Sequence, residues 1–342
     1  MRNKIPQIAS ASRGREWWEF KIAPIFGSVY ATAIVLDIHL ISLLYFLPFI
    51  LIALIPGAVY VSVINDFTDL EVDEKAGKKN RLQGQSKSLV FVTIFLCVAI
   101  GVAVGFFLNP VSLIFYLGAW IAYSLYSLPP VRLKVRGFSG VLADALGANV
   151  FPQLFAVALL TEWFQKEWNL LWFIALGSWS LFWGIRGIVW HQLTDLVNDE
   201  RSGVNTFARR HSAAFVRRSV LWVVFPLELV SLLMILILIG SFLPAAFVLI
   251  YLLIEYARCA LLEIDLIVVK PAARYKVFLE EYYGFFYPIS LIVLGSLSNP
   301  NSLIVLIFQL VLFPKRIYDL VCEIPGISKR GFYAFREFLL GY

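Results

Sequence analysis

Charged residues are scarce in this chain. Asp, Glu, Lys and Arg make up 15% of its 342 residues, while 60% are hydrophobic and the mean hydropathy is +0.79. Soluble domains carry about a quarter charged residues, so the balance excludes an ordinary soluble protein and leaves no stretch that reads as a soluble domain. Cysteine is equally sparse: Cys97, Cys259 and Cys322 lie far apart, in or beside apolar runs. They suggest neither a disulfide framework nor a cysteine metal site. The N-terminus stays polar and basic through Lys21 and lacks a short apolar core with a small-residue cleavage site. No cleavable signal peptide is therefore expected. Despite a formal net charge of +6, so apolar a chain is not expected to take nucleic acid as a partner.

What the chain does have is a succession of apolar runs of membrane-spanning length. They fall near 22–37, 40–65, 88–108, 111–127, 139–160, 169–192, 219–240 and 243–264, followed by an apolar region at 284–314. Because lipid forces each backbone polar group to be satisfied within its own segment, the expected fold is all-α: a polytopic membrane helical bundle of about nine transmembrane helices, forming one integral-membrane domain over 1–342. Trp17 and Trp18 read as anchors of an interfacial segment ahead of the first span. The last apolar region is broken by Asn299-Pro300-Asn301. A single span would put Lys315, Arg316, Lys329, Arg330 and Arg336 outside, so the charge pattern favours a hairpin or re-entrant segment.

The bases cluster on alternate connections. Lys75, Lys78, Lys79, Arg81 and Lys87 follow the second run, Arg132, Lys134 and Arg136 the fourth, and Arg201, Arg209, Arg210, Arg217 and Arg218 the sixth. With the basic N-terminus (Arg2, Lys4, Arg13, Arg15 and Lys21), this places those connections in the cytoplasm by the positive-inside rule.

Two acidic clusters stand at the ends of apolar runs on that side. The first is Asn65-Asp66-Phe67-Thr68-Asp69-Leu70-Glu71-Val72-Asp73. If the preceding helix continues, Asn65, Asp69 and Asp73 recur every four residues and share a face. The second runs from His191 through Asp195 and Asp199 to Gly203, again Asp-x-x-x-Asp, again trailed by bases. Grouped carboxylates repel unless a cation joins them, and hard divalent ions such as Mg²⁺ are held by one or two carboxylates plus substrate phosphate oxygens. A diphosphate bridged by metal and neutralised by Lys and Arg suits such a pair of clusters. An apolar chamber beneath would take a hydrocarbon tail, and aromatic side chains, 16% of the chain, stabilise a carbocation through their faces. An isoprenyl diphosphate has both parts.

The loop Tyr126-Ser127-Leu128-Pro129-Pro130-Val131-Arg132-Leu133-Lys134 has two prolines that end the fourth helix and present Arg132 and Lys134 together. Asp144 and Asn149 lie inside the fifth run, where a structural hydrogen bond competes with a catalytic role. Glu228, Glu255 and Arg258 interrupt the seventh and eighth, with Glu255 and Arg258 spaced to pair. The stretch from Glu263 to Tyr283 reads as an interfacial or cytoplasmic insert.

Asn65-Asp66-x-x-Asp69-x-x-x-Asp73 resembles the first signature of the UbiA superfamily of intramembrane prenyltransferases, and Asp195-x-x-x-Asp199 followed by Gly203 resembles the second. The 126–134 loop is similar to that of the branch with chlorophyll synthases and archaeal lipid prenyltransferases. The resemblance implies a nine-helix bundle around a central chamber, with Mg²⁺ held by Asn65, Asp69 and Asp73 on one side and by Asp195 and Asp199 on the other, and Asp66 in support. Arg81 and Lys134 match basic positions at the diphosphate; Tyr126, Arg132, Arg186, His191 and Asp144 complete the candidate substrate-binding set. Arg186 and His191 either contact the substrates or pair with nearby acids. This chain has Arg81-Leu82 where the family often has Arg-Pro, and Lys134 stands eight residues after Tyr126 rather than four.

The resulting expectation is Mg²⁺-dependent transfer of a prenyl group, through an allylic cation, to a lipophilic acceptor such as an aromatic or quinone precursor, with membrane lipids as surroundings. A carotenoid, glycerolipid or sugar-phosphate acceptor, a non-catalytic prenyl-binding protein, and an ion-coupled transporter are the competing expectations. The transporter calls for acids nearer mid-membrane and matching Gly/Pro-broken helices in the two halves, which the sequence does not show.

Overall fold

The computed structural model describes residues 12–75 and 77–340; Arg2 and Lys4 of the basic N-terminus and the side chain of Arg336 lie outside the described residues. Helix α1 runs as Gly14–Trp17, widens into a π turn at Trp18–Ile22 and continues as Ala23–Val35. There follow α2 (Phe46–Lys75), α3 (Lys87–Gly105), α4 (Pro110–Ser127), α5 (Phe138–Trp163), α6 (Leu170–Thr194), the short α7 (Leu196–Ser202), α8 (Ala213–Ile239) and α9 (Leu243–Leu262). Two short apolar helices, α10 (Tyr282–Ser298) and α11 (Pro300–Leu312), precede α12 (Pro314–Leu340).

Seven of these helices, α2 to α6 with α8 and α9, are long and apolar enough to cross a membrane. The expected nine is thus not reached by length and composition among the described residues. The first run falls short because α1 carries Arg15, Glu16, Glu19 and Lys21 in its first half. Trp17 and Trp18 belong to the first, charged half of α1, and Trp18 Nε1 donates to the Leu312 carbonyl at 2.6 Å. Outward faces remain apolar, as at Phe95, Trp222 and Leu253, the pattern of helices set in a hydrophobic solvent.

Proline shapes the helices locally. Further π turns occur at Leu146–Val150 in α5, Val220–Val224 in α8 and Tyr282–Phe286 in α10. Together with the turn in α1, each ends two residues before a proline: Pro24, Pro152, Pro226 and Pro288. A proline cannot bond the carbonyl four residues back and its ring collides with that carbonyl. Here those carbonyls, on Phe20, Ala148, Trp222 and Gly284, all sit inside the widened turns, which relieve the clash without breaking the helix.

The region 284–314 is a hairpin. At its open end Gly284 packs against the Glu19 carbonyl, and Leu312 meets Trp18. At its tip Gly295 packs tightly on the Leu40 side chain and the Asn299 side chain caps the turn by accepting from Asn301 N–H at 3.1 Å. The chain therefore returns to the side it left, and Lys315 N–H donates to Glu19 Oε1 at 2.9 Å. In a background with the native cysteines replaced, the exposed positions Asn301→Cys and Lys315→Cys are expected to react with a membrane-impermeant maleimide from opposite faces of sealed vesicles. Labelling of both from one face would exclude the hairpin.

Helix α1 packs against α5 and α10, α2 against α3 and α4, α4 against α5, and α6 against α5 and α8. The stretch from Glu263 to Tyr283, expected as an insert, departs from the all-α expectation by one small parallel ladder, β1 (Asp265–Ile267) with β2 (Tyr275–Val277), in which Asp265 faces Tyr275. Below it two buried ion clusters tie helices together. Arg186 on α6 forms a bidentate pair with Glu228 on α8, both bonds at 2.6 Å, and Tyr283 Oη on α10 donates to Glu228 at 2.8 Å. Arg258 on α9 bonds Glu255, Glu281 and, on α12, Glu323.

Candidate active site

Helix α2 continues unbroken past the membrane-length apolar run to Lys75, so Asn65, Asp69 and Asp73 lie on successive turns of one helix, as their spacing predicts. All three line a polar cavity of about 330 Å³, and Asp66, Asp195 and Asp199 line it too. The second cluster reaches that cavity through a break between helices. Helix α6 ends at Thr194; the Asp195 N–H bonds the His191 carbonyl at 3.0 Å, and α7 starts immediately and closes at Gly203 with φ of 71°.

The basic loop after α4 faces both clusters. Leu133–Val135 form a 3₁₀ turn pressed against α5, where a Cβ on Gly140 would stand 2.6 Å from the Leu133 carbonyl oxygen. Only glycine allows that approach, and it brings Lys134 against α2. The Lys134 ammonium donates to Asn65 Oδ1 at 3.3 Å and to Asp69, which also accepts from Arg132 at 2.8 Å. Burial pulls the Lys134 ammonium below its ordinary pKa, against the pull of Asp69 in the other direction. Burial and the neighbouring Asp195 hold the Asp199 carboxyl above the usual carboxylate range, against the Thr206 hydroxyl, which donates to it at 3.0 Å.

The remaining acids also have partners. Asp66 accepts from Arg13 and lies 3.9 Å from Arg81, whose guanidinium bonds Glu16. Asn80 Nδ2 donates to Asp73 Oδ2 and to the Asp66 carbonyl, both at 2.8 Å. Asp195 lies 3.7 Å from Lys78 and 3.8 Å from His191 Nδ1. With these carboxylates turned to separate partners, no three His, Cys, Asp or Glu side chains surround a common point among the described residues. The donor chemistry nevertheless fits Mg²⁺. A cation, the Lys134 ammonium, already bridges Asn65 and Asp69 oxygens, and Mg²⁺ needs only one or two carboxylates when phosphate and water complete its shell.

Below this cavity lies a chamber of about 590 Å³ with Trp120, Tyr123, Phe155 and Trp183 in its wall. Asn65, Tyr126, Ile188 and His191 line both spaces, so the polar cavity opens into the aromatic one. The candidate residues divide accordingly. Arg81, Lys134, Tyr126 and His191 reach the polar cavity, Asp144 lies in the chamber wall, and Arg132 touches Asp69. Arg186 also borders the chamber, but its guanidinium is taken up by Glu228, and its remaining nitrogen donates to the Val268 carbonyl at 3.3 Å.

Sequence patterns did not single out Arg13, Lys78 or Thr206 as site residues, nor Lys21 and Trp183 in the chamber. Arg13 bonds an acid 53 positions away, with no local signal to reveal it. Thr206 was discoverable in principle, as the first hydroxyl after the Gly203 turn.

Comparisons with known proteins bear on the same geometry. A search of the curated proteins found no match. Among solved structures, a UbiA homolog from Archaeoglobus fulgidus bound to GPP and Mg²⁺ is similar at 15% identity and a TM-score of 0.57, over 90% of this chain and 99% of that one. The same homolog bound to DMAPP and Mg²⁺ gives 17%, 0.55, 84% and 97%. A structure concerning digeranylgeranylglyceryl phosphate synthase in membranes gives 15%, 0.51, 89% and 98%. These likenesses establish a shared fold. Residues 22–265 match the UbiA prenyltransferase family, and with most of its length so matched the chain belongs to that family.

Proposed function

We propose that this protein transfers a prenyl group from an isoprenyl diphosphate to a lipophilic acceptor, an aromatic or quinone precursor, at a site facing the cytoplasm. One observation carries the reading: two acid clusters from α2 and α6–α7 meet in a polar cavity that opens directly into an aromatic chamber. A charged head and an allylic tail fit the two spaces in that order. The bound GPP, DMAPP and Mg²⁺ of the Archaeoglobus homolog support it.

Asn65, Asp69 and Asp73 would hold one Mg²⁺ and Asp195 and Asp199 the other, with Asp66 in support. Mg²⁺ would supply positive charge to a diphosphate leaving group. Lys134, Lys78 and Arg81, which line the same cavity, add fixed positive charge where negative charge develops. Tyr126, at the junction of the two spaces, and Trp120 and Trp183 in the chamber wall line the space the allylic tail would enter, and aromatic rings stabilise a cation through their faces. The apolar wall excludes water from the cation. Arg132 positions Asp69 through their 2.8 Å bond.

The test uses purified protein in detergent with radiolabelled geranylgeranyl diphosphate and a panel of lipophilic acceptors. Diphosphate release is expected to rise at least about a hundredfold with Mg²⁺ over an EDTA control. Equal release in both would overturn the reading, and ion-driven uptake into vesicles without diphosphate release would replace it with transport.

A further inference from the structure

Helix α12 lies beyond the residues matched to the family, which end at 265, and it is not among the helices apolar enough to span. Two contacts fix how it lies. Its first residue, Pro314, follows closely on Leu312, the last residue of the hairpin arm α11. Farther along, a Cβ on Gly326 would stand 3.3 Å from the side chain of Leu262, the last residue of α9, and a Cβ on Gly331 3.6 Å from that of Leu261. The ends of α9 and α11 share the side on which the hairpin opens, because the stretch that joins α9 to α10 contains no span. Held to a helix end at each point, α12 runs along the membrane surface between them, about 18 Å from Pro314 to Gly326.

One face of α12 is taken up by the protein. The Arg316 guanidinium lies over the Phe20 ring, 4.5 Å from its centre, and Glu323 accepts from Arg258 at 2.7 Å. The opposite face is open. At about 100° per residue Tyr318, Val321, Cys322 and Pro325 fall within roughly a third of the circumference, and Tyr318 and Val321 are 68% and 56% exposed. Lys315 stands about one turn before this stripe and Lys329 and Arg330 about one turn after it, all three exposed. Asp319 pairs with Lys315, and Glu263 lies 3.8 Å from Arg330, but pairs so exposed hold their charges weakly. An apolar stripe with bases at both ends, kept at the level of helix ends, fits acyl chains beneath a layer of phosphate. Long basic side chains reach the headgroups from that depth. A soluble partner protein would first have to displace the leaflet along which α12 runs.

We propose that α12 is a docking surface for anionic phospholipid of the surrounding membrane, with Tyr318, Val321 and Pro325 seated among the acyl chains and Lys315, Lys329 and Arg330 holding the phosphate headgroups. Lipid of that charge is thereby gathered at one edge of the bundle.

The experiment uses full-length protein with Cys97, Cys259 and Cys322 replaced by serine, in nanodiscs of equal parts phosphatidylglycerol and phosphatidylcholine. A bimane label at Tyr318→Cys or Val321→Cys is quenched by whichever lipid carries bromine on its acyl chains. The same label at Phe95→Cys, on an outward face of α3, gives the ratio for bulk lipid. One base at an anionic surface corresponds to about fivefold in local lipid concentration. Relative to Phe95→Cys, quenching by brominated phosphatidylglycerol is therefore expected to exceed that by brominated phosphatidylcholine at least about threefold at both α12 positions. Lys315→Gln combined with Lys329→Gln is expected to return the ratio close to bulk. Labels at both α12 positions that neither lipid quenches, with Phe95→Cys quenched, would overturn the proposal in favour of solvent or a protein partner. Equal quenching by the two lipids would overturn it as membrane contact without choice of headgroup, and so would an enrichment that survives the double substitution.

Discussion

Asp69→Ala is expected to lower Mg²⁺-dependent diphosphate release by about a thousandfold, the loss typical of a group that stabilises charge only as the reaction proceeds. Asp69 is the acid on which Arg132 and Lys134 converge, and its neighbour in that contact is Asn65. Its removal takes away a carboxylate from the proposed metal site and leaves two bases without the anion that places them. The effect is expected in turnover at saturating prenyl diphosphate. Lys134 is buried but lines the polar cavity, and Arg132 is partly exposed, so the thermal midpoint should fall far less than when a fully buried pair is broken. A variant that retained more than about a tenth of wild-type release would remove Asp69 from the site.

Glu228→Ala is expected to have the opposite profile, a large loss of stability ahead of any specific loss of chemistry. The Arg186–Glu228 pair is almost fully buried, with side-chain exposures of 1% and 0%. Breaking such a pair from one side costs about 3–5 kcal/mol, because the surviving charge is stranded. Tyr283 loses its acceptor as well. In a thermal unfolding measurement in detergent the midpoint should fall by roughly 10 °C. Glu228→Gln, which keeps an oxygen acceptor, should fall less. A Glu228→Ala midpoint within about 2 °C of wild type would show that Arg186 finds another partner and is free to serve as a ligand.

These two outcomes separate the parts of the molecule that were legible in sequence from those that were not. The acid set on α2 could be read because its logic is local: four-residue spacing on one continuous helix puts Asn65, Asp69 and Asp73 on one line. Asp195 and Asp199 could be read because the same pattern recurs with bases behind it. The hairpin was foreshadowed by Lys315 and Arg316, whose charge sets a side. Arg186 could not be assigned, since an isolated arginine in an apolar run looks the same whether it awaits a ligand or a glutamate 42 residues later. Lys21 was counted among the bases that set orientation, and nothing near it announces Asn149, 128 positions away. Length and composition alone give seven spans among the described residues for a physical reason: the first half of α1 is charged, and the hairpin arms are each shorter than a full crossing.

The four proline-linked π turns give the bundle a counting rule. A π turn holds one residue more than an α turn, so the wall beyond it is rotated by about 100° relative to an uninterrupted helix. Lys21, Asn149 and Tyr283 all stand in such turns, and the Lys21–Asn149 bond and the contacts of Tyr283 with Glu228 and Trp183 depend on that surplus residue. Within these stretches the interior is indexed by number as much as by chemistry: exchange of one apolar side chain for another leaves the register intact, whereas loss of a single residue ahead of Pro24 or Pro152 turns the Lys21 ammonium and its Asn149 partner away from each other.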